Sequence, residues 1–191
     1  MILNRGVPKE ISAVKLQKWF KSLDERDKNR ITRYTSGADT TSQIAFVTNL
    51  MSRANADENY PVALIAGELG KTLESGIKEK FDFYNEYIEA LFFSGDSCGA
   101  KDVCLKNIDR IPDVIGYITA DGIPETLPCR NRLIDILVGV EKDYDGAQEM
   151  LVRFNELKIL SDEDLEYRTQ SLRIHRLQRT FDSIFTHNVS E

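Results

Sequence analysis

Three cysteines, two histidines and one tryptophan are all that 191 residues contain of those types, and no apolar run approaches the length of a bilayer span. An odd cysteine count without framework spacing excludes a secreted disulfide scaffold, and cysteine alone does not complete a four-ligand zinc site. Cys98 and Cys104 lie six positions apart, roughly 600° on a helix, so they point to different sides. The apolar runs, such as LIDILVGV at 133–140, are far short of a bilayer span, and MILNRGVPKE lacks a signal-peptide core. Reduced thiols and a cytoplasmic setting are therefore expected, with no membrane partner.

Chemical motifs are equally sparse. GELGKT at 67–72 has two residues between its first glycine and the Gly-Lys-Thr, where a phosphate loop needs four, and the full spacing falls on Ile65. A helix with close-packing Ala63, Ala66 and Gly70 is the expectation instead. EKDYDG at 141–146 alternates oxygen side chains before a glycine, yet the closing carboxylate of a calcium loop is replaced by Val152, which leaves a polar interhelical turn. No serine or cysteine sits in a nucleophile turn and no dinucleotide fingerprint follows a strand, so no catalytic, cofactor or metal residue is assigned. Asp135 interrupts an apolar run but shares a helical face with Arg132 and Lys142, which reads as solvated.

What the chain has in quantity is charge, unevenly placed. The net charge is −6, yet residues 1–35 carry nine basic against four acidic side chains, residues 36–167 carry twelve against twenty-five, and residues 168–191 four against two. The acidic middle repels a phosphate backbone, so a nucleic-acid partner is confined to the basic N-terminal residues, a secondary reading.

Apolar periodicity gives the architecture. Leu16, Trp19, Phe20 and Leu23 form one stripe, which predicts a helix over 10–21 behind Pro8, with Trp19 and Phe20 as core anchors. Ser22 and Glu25 have capping-box spacing before a second helix reaching Tyr34. Residues 35–42 are a polar loop, and from Gln43 helices alternate with short turns. Ser161 and the acidic residues after it start a last helix running to about 186. On its wheel Ile174, Leu177, Phe181, Ile184 and Phe185 fall on one side, and Arg168, His175, Arg176 and Arg179 on the other.

Three segments share a turn and then an alanine: ENYPVA ending at Ala63, GDSCGA at Ala100 and KDYDGA at Ala147, spaced by 37 and 47 residues. Tyr84, Tyr87 and Leu91 precede the middle turn, Cys104 follows Ala100 by one helical turn, and Pro112 closes the unit. The same offsets pick out Val47, Leu50 and Ala54 before Ala63, and Asn131, Ile134 and Val138 before Ala147. On these residues, over 43–160, the chain resembles a degenerate tetratricopeptide (TPR) array. It departs from that pattern at Met51, Ile88 and Asp135, where the family has a small residue, and at Gly67, where it has a large one.

The resemblance implies an all-α fold of stacked antiparallel hairpins in a right-handed superhelix. Residues 1–36 form a basic helix pair packed on the repeats, and 43–191 hold three hairpins and a C-terminal capping helix. It also implies a non-enzymatic adaptor or regulatory protein that holds another protein's segment in a groove, with self-association open. Tyr84, Tyr87, Asn131, Arg168, Arg176 and Arg179 are the candidate contact residues; the arginines suit bidentate capture of carboxylates or phosphates. An enzyme with a site in the interhelical groove is the least favoured alternative.

Overall fold

The computed structural model of the chain describes residues 6–187, with side chains at all of these except 180 and 182–187. Among them no strand occurs, and eleven α-helices and one π-helical segment pack on one another. The all-α reading is correct.

The helix expected over 10–21 is in fact two, α1 (Lys9–Ala13) and α2 (Gln17–Ser22). Lys15 takes the left-handed conformation at φ 60°, and the Leu16 N–H closes α1 by donating to the Ile11 carbonyl at 3.0 Å. On one straight helix Ile11 and Val14 would point away from Leu16 and Phe20. The break lets all four enter the core, where each is buried. Trp19 packs half-buried against the same cluster. Ser22 still belongs to α2 and donates to the Trp19 carbonyl, so it is not the cap of α3 (Glu25–Thr35). Asp24 takes that place, accepting from the Asp27 N–H at 2.7 Å.

Three helix pairs follow: α4 (Gln43–Ala56) with α5 (Tyr60–Thr72), α6 (Ile77–Phe93) with α7 (Ser97–Ile108), and α9 (Pro128–Asp135) with α10 (Tyr144–Glu156). A short α8 (Ile111–Ile118) lies between the second and third pairs. Pro112, expected to end a helix, instead occupies the first turn of α8, where its missing N–H costs nothing. Helix α6 touches both α4 and α5, and α9 touches both α6 and α7. Two apolar clusters result, and α6 serves both, with Phe83 and Tyr87 in the first and Phe81 and Ile88 in the second.

The shared turn is one physical device used three times. Glu58, Gly95 and Lys142 take positive φ, and the next residues, Asn59, Asp96 and Asp143, stand at the N-cap of the following helix, where the two aspartates accept from the Gly99 and Gly146 N–H groups. Four residues on, Ala63, Ala100 and Ala147 are each fully buried, which lets paired helices approach closely. Gly67 and Gly70 extend this approach along α5. A Cβ at either would stand inside the ring of Tyr87 or Phe83 respectively, so GELGKT is helix packing and not a phosphate cradle.

The third pair differs by one residue. In the first two turns the Asn59 and Asp96 N–H groups reach back five positions, to Ala54 and Leu91, whereas Asp143 reaches back six, to Leu137, at 2.8 Å. The additional residue is absorbed in the π-helical segment Ile136–Glu141. Counting back from the alanine therefore fails by one. Arg130, Leu133 and Leu137 are the buried residues, not Asn131, Ile134 and Val138, which are half-buried.

Helix α11 (Asp162–His187) starts as expected, with Ser161 Oγ accepting from the Asp164 N–H at 3.0 Å. It packs along α10, sending Leu165 and Leu172 into the second cluster. The capping face expected from Ile174, Leu177 and Phe181 is reversed: these are 56%, 58% and 57% exposed. Leu165 and Leu172 already occupy the inward side of the helix, and 174, 177 and 181 lie opposite them on the wheel. The side chains of Ile184 and Phe185 lie outside the described residues.

Candidate functional site

Because α9 is turned by the π-helical segment, Ile134 and Val138 lie partly buried at the edge of the second cluster, on the side of α11. Together with Leu151 of α10 and Leu172 of α11 they floor an open groove of about 460 Å³. Gly139 lines it as well, and nothing lies within 4 Å of where its Cβ would be. Asp135, Asp164, Arg168 and His175 supply polar groups to its walls, with Tyr167 at its mouth.

The groove's carboxylates are engaged. Asp135 takes the Arg132 guanidinium at 2.8 Å, as its helical spacing foretold, and Asp164 accepts the Ser161 hydroxyl at 2.8 Å. Arg168 makes no hydrogen bond or ion pair among the described residues. Close by, Arg130 is 2% exposed and also has no carboxylate partner; its guanidinium donates to the carbonyls of Pro124, Glu125 and Ile159, and its Nε to Asn131 Oδ1. Burial, and then the charge of Arg168, push the Arg130 pKa down. Arg168 lines the groove together with Asp135 and Asp164, whereas the buried Arg130 does not line it.

The six residues singled out in the sequence do not converge. Only Arg168 lines the groove. Asn131 accepts from Arg130 and is half-buried, since the one-residue shift moved it out of the register its offset implied. Arg176 pairs with Asp145 of α10 at 2.7 Å, and Arg179 is exposed farther along α11. Tyr87 is 4% exposed, stacked on Phe83, with its hydroxyl donating to Glu68 at 2.6 Å. Burial and that carboxylate raise its pKa, and it serves as a packing residue of the first cluster. Tyr84 remains half-exposed, with the Arg110 guanidinium 4.8 Å and the Lys80 ammonium 5.7 Å from its ring centre.

Sequence reasoning missed the floor, Ile134, Val138, Leu151 and Leu172. One signal was present: the third alanine comes ten residues late relative to the first spacing, and α8 with its loop conceals a single inserted residue within that surplus.

The three cysteines are free thiols. Cys98 is exposed, while Cys104 and Cys129 sit in the second cluster. Burial raises the Cys104 pKa and pushes Cys129 up to about 12, so neither is a thiolate near neutrality. Among the described residues no group of three or more His, Cys, Asp or Glu side chains is placed to hold a metal ion, and no helix is long and apolar enough to cross a membrane. Compared with protein-family models, with curated proteins and with solved structures, the chain matches none.

Proposed function

We propose that the protein is a non-enzymatic adaptor built from TPR-like hairpins, and that it holds a segment of a partner protein in the groove between its third hairpin and α11. The observation that carries this reading is the π-helical shift. A single inserted residue puts Leu133 and Leu137 in the fully buried positions and leaves Ile134 and Val138 partly buried at the edge of the second cluster, where they line a groove. Such insertions cost helix hydrogen-bond geometry and cluster at functional positions. The floor is aliphatic, suited to an apolar anchor side chain, and Arg168 at its wall is suited to a carboxylate on the same segment.

Selection of a random peptide library on the purified protein tests the reading. Enriched peptides carry an apolar residue near an acidic one. Val138→Asp weakens them at least tenfold, and Arg168→Gln weakens those with the acid more than analogues carrying glutamine there. If no sequence is enriched over an unrelated helical protein, or if both variants bind as the wild type does, the groove is not the binding site.

A further inference from the structure

The outward face of α11 presents Tyr167, Ile174, Leu177 and Phe181 at 72%, 56%, 58% and 57% exposure. Their spacings of seven, three and four residues are those of the a and d positions of a coiled-coil seam. The helix already uses its opposite side, Leu165 and Leu172, against the body of its own chain, so this seam faces away from the fold.

From this seam we infer that two copies of the chain associate through α11, paired antiparallel along its length. Three observations favour a second copy over another helix. First, the aliphatic pair Ile174 and Leu177 lies at the middle of a helix spanning residues 162–187. A two-fold axis between them packs Ile174 of each copy on Leu177 of the other while overlapping almost the whole of both helices. Second, that register brings no like charges together on the flanks. Ser171 meets Gln178 of the other copy, and the two Arg173 positions stand about 7.5 Å apart along the axis. Third, the area suffices. At about 200 Å² for a fully exposed side chain of this size, the four present roughly 500 Å² per copy, and two copies together reach the roughly 1,000 Å² that a specific interface needs. Tyr167 is shared with the mouth of the groove, whereas Ile174, Leu177 and Phe181 do not line it, so the inference rests on these three and not on what the groove holds.

Sedimentation equilibrium of the full chain at about 100 µM tests it, with a mass of twice 21.8 kDa expected. Ile174 and Leu177 are surface residues, so the double variant Ile174→Glu/Leu177→Glu keeps the wild-type helical circular dichroism while its dimer dissociates at least about 100-fold more readily. Orientation is read in a Cys98→Ser background. An Ile174→Cys protein mixed with a Leu177→Cys protein forms the mixed disulfide faster than either forms its own. A monomeric wild type, a double-glutamate variant that still dimerises, or preferential Ile174→Cys self-linkage overturns the inference.

Discussion

The first two hairpins and the third use the same turn, yet in the third the residues counted back from it line a groove. In α4 and α6 the residues fixed by counting back from the turn alanine are in or beside the core: Val47, Leu50, Ala54, Tyr87 and Leu91 are all buried. In α9 the π-helical segment displaces the frame by one, and two of the three counted residues, Ile134 and Val138, line the groove with α11 instead. A helical repeat can thus acquire a binding surface without a new loop or a new element, because one residue within a helix turns everything before it by about 100°.

Arg130 is where the two regions differ most in what holds them. In the first region the partly exposed Arg53 guanidinium donates to the Tyr34 and Ser36 carbonyls, whereas the loop before α9 and the turn after α10 are tied together by a guanidinium that is 2% exposed and has three carbonyl acceptors. Arg130→Ala leaves those carbonyls without a donor and is expected to cost about 3 kcal/mol or more in urea unfolding. Arg130→Lys keeps the charge but lacks the fork and recovers only part of that loss. A loss below about 1 kcal/mol for the alanine variant would show that packing alone holds the third hairpin.

Alanine at two glycines draws the same contrast. At Gly67 the added methyl meets the Tyr87 ring, so the helix-propensity gain of about 1 kcal/mol is outweighed and a net loss of about 1 to 2 kcal/mol is expected. At Gly139 the methyl enters open space, and thermal unfolding should stay within about 0.5 kcal/mol of wild type. Equal effects at the two sites would mean that the groove is not open in solution.

A stabilising effect belongs to the face joining the first two pairs. Glu86 is largely buried beside Asn55, which donates to its carboxylate at 3.0 Å, while Asn55 Oδ1 is buried without a partner. Burial, assisted by the charges of Glu89 and Asp82, raises the Glu86 pKa above the ordinary carboxylate value. The folded protein therefore keeps this proton to higher pH than the unfolded chain, and its stability falls as pH rises from the ordinary value through the raised one. Glu86→Gln removes that slope and gives Asn55 Oδ1 a donor, for a gain of about 1 kcal/mol at neutral pH. Unfolding free energies across pH 4 to 8 check it; a variant with the wild-type slope would place the titration elsewhere.

Residue pattern alone determined the helical class, the three turns and their alanines, the start of the last helix and the structural nature of GELGKT and EKDYDG. These follow from local rules: capping, positive-φ turns and the 3.6-residue period act within a few residues of the chain. Tertiary structure decided the break at Lys15, the π-helical shift, the burial of Arg130 and the outward direction of Ile174, Leu177 and Phe181. Each depends on which of two competing apolar faces finds a partner in space. Along α11 the period marks two such faces, Leu165 with Leu172 and Ile174 with Leu177, and only the shape of α10 and the second cluster selects the one that is buried. In the same way, nothing local to LIDILVGV distinguishes a regular helix from one carrying an extra residue. The distinction lies in which choice brings Leu133 and Leu137 onto the core while the Arg130 guanidinium reaches the carbonyls of Pro124, Glu125 and Ile159.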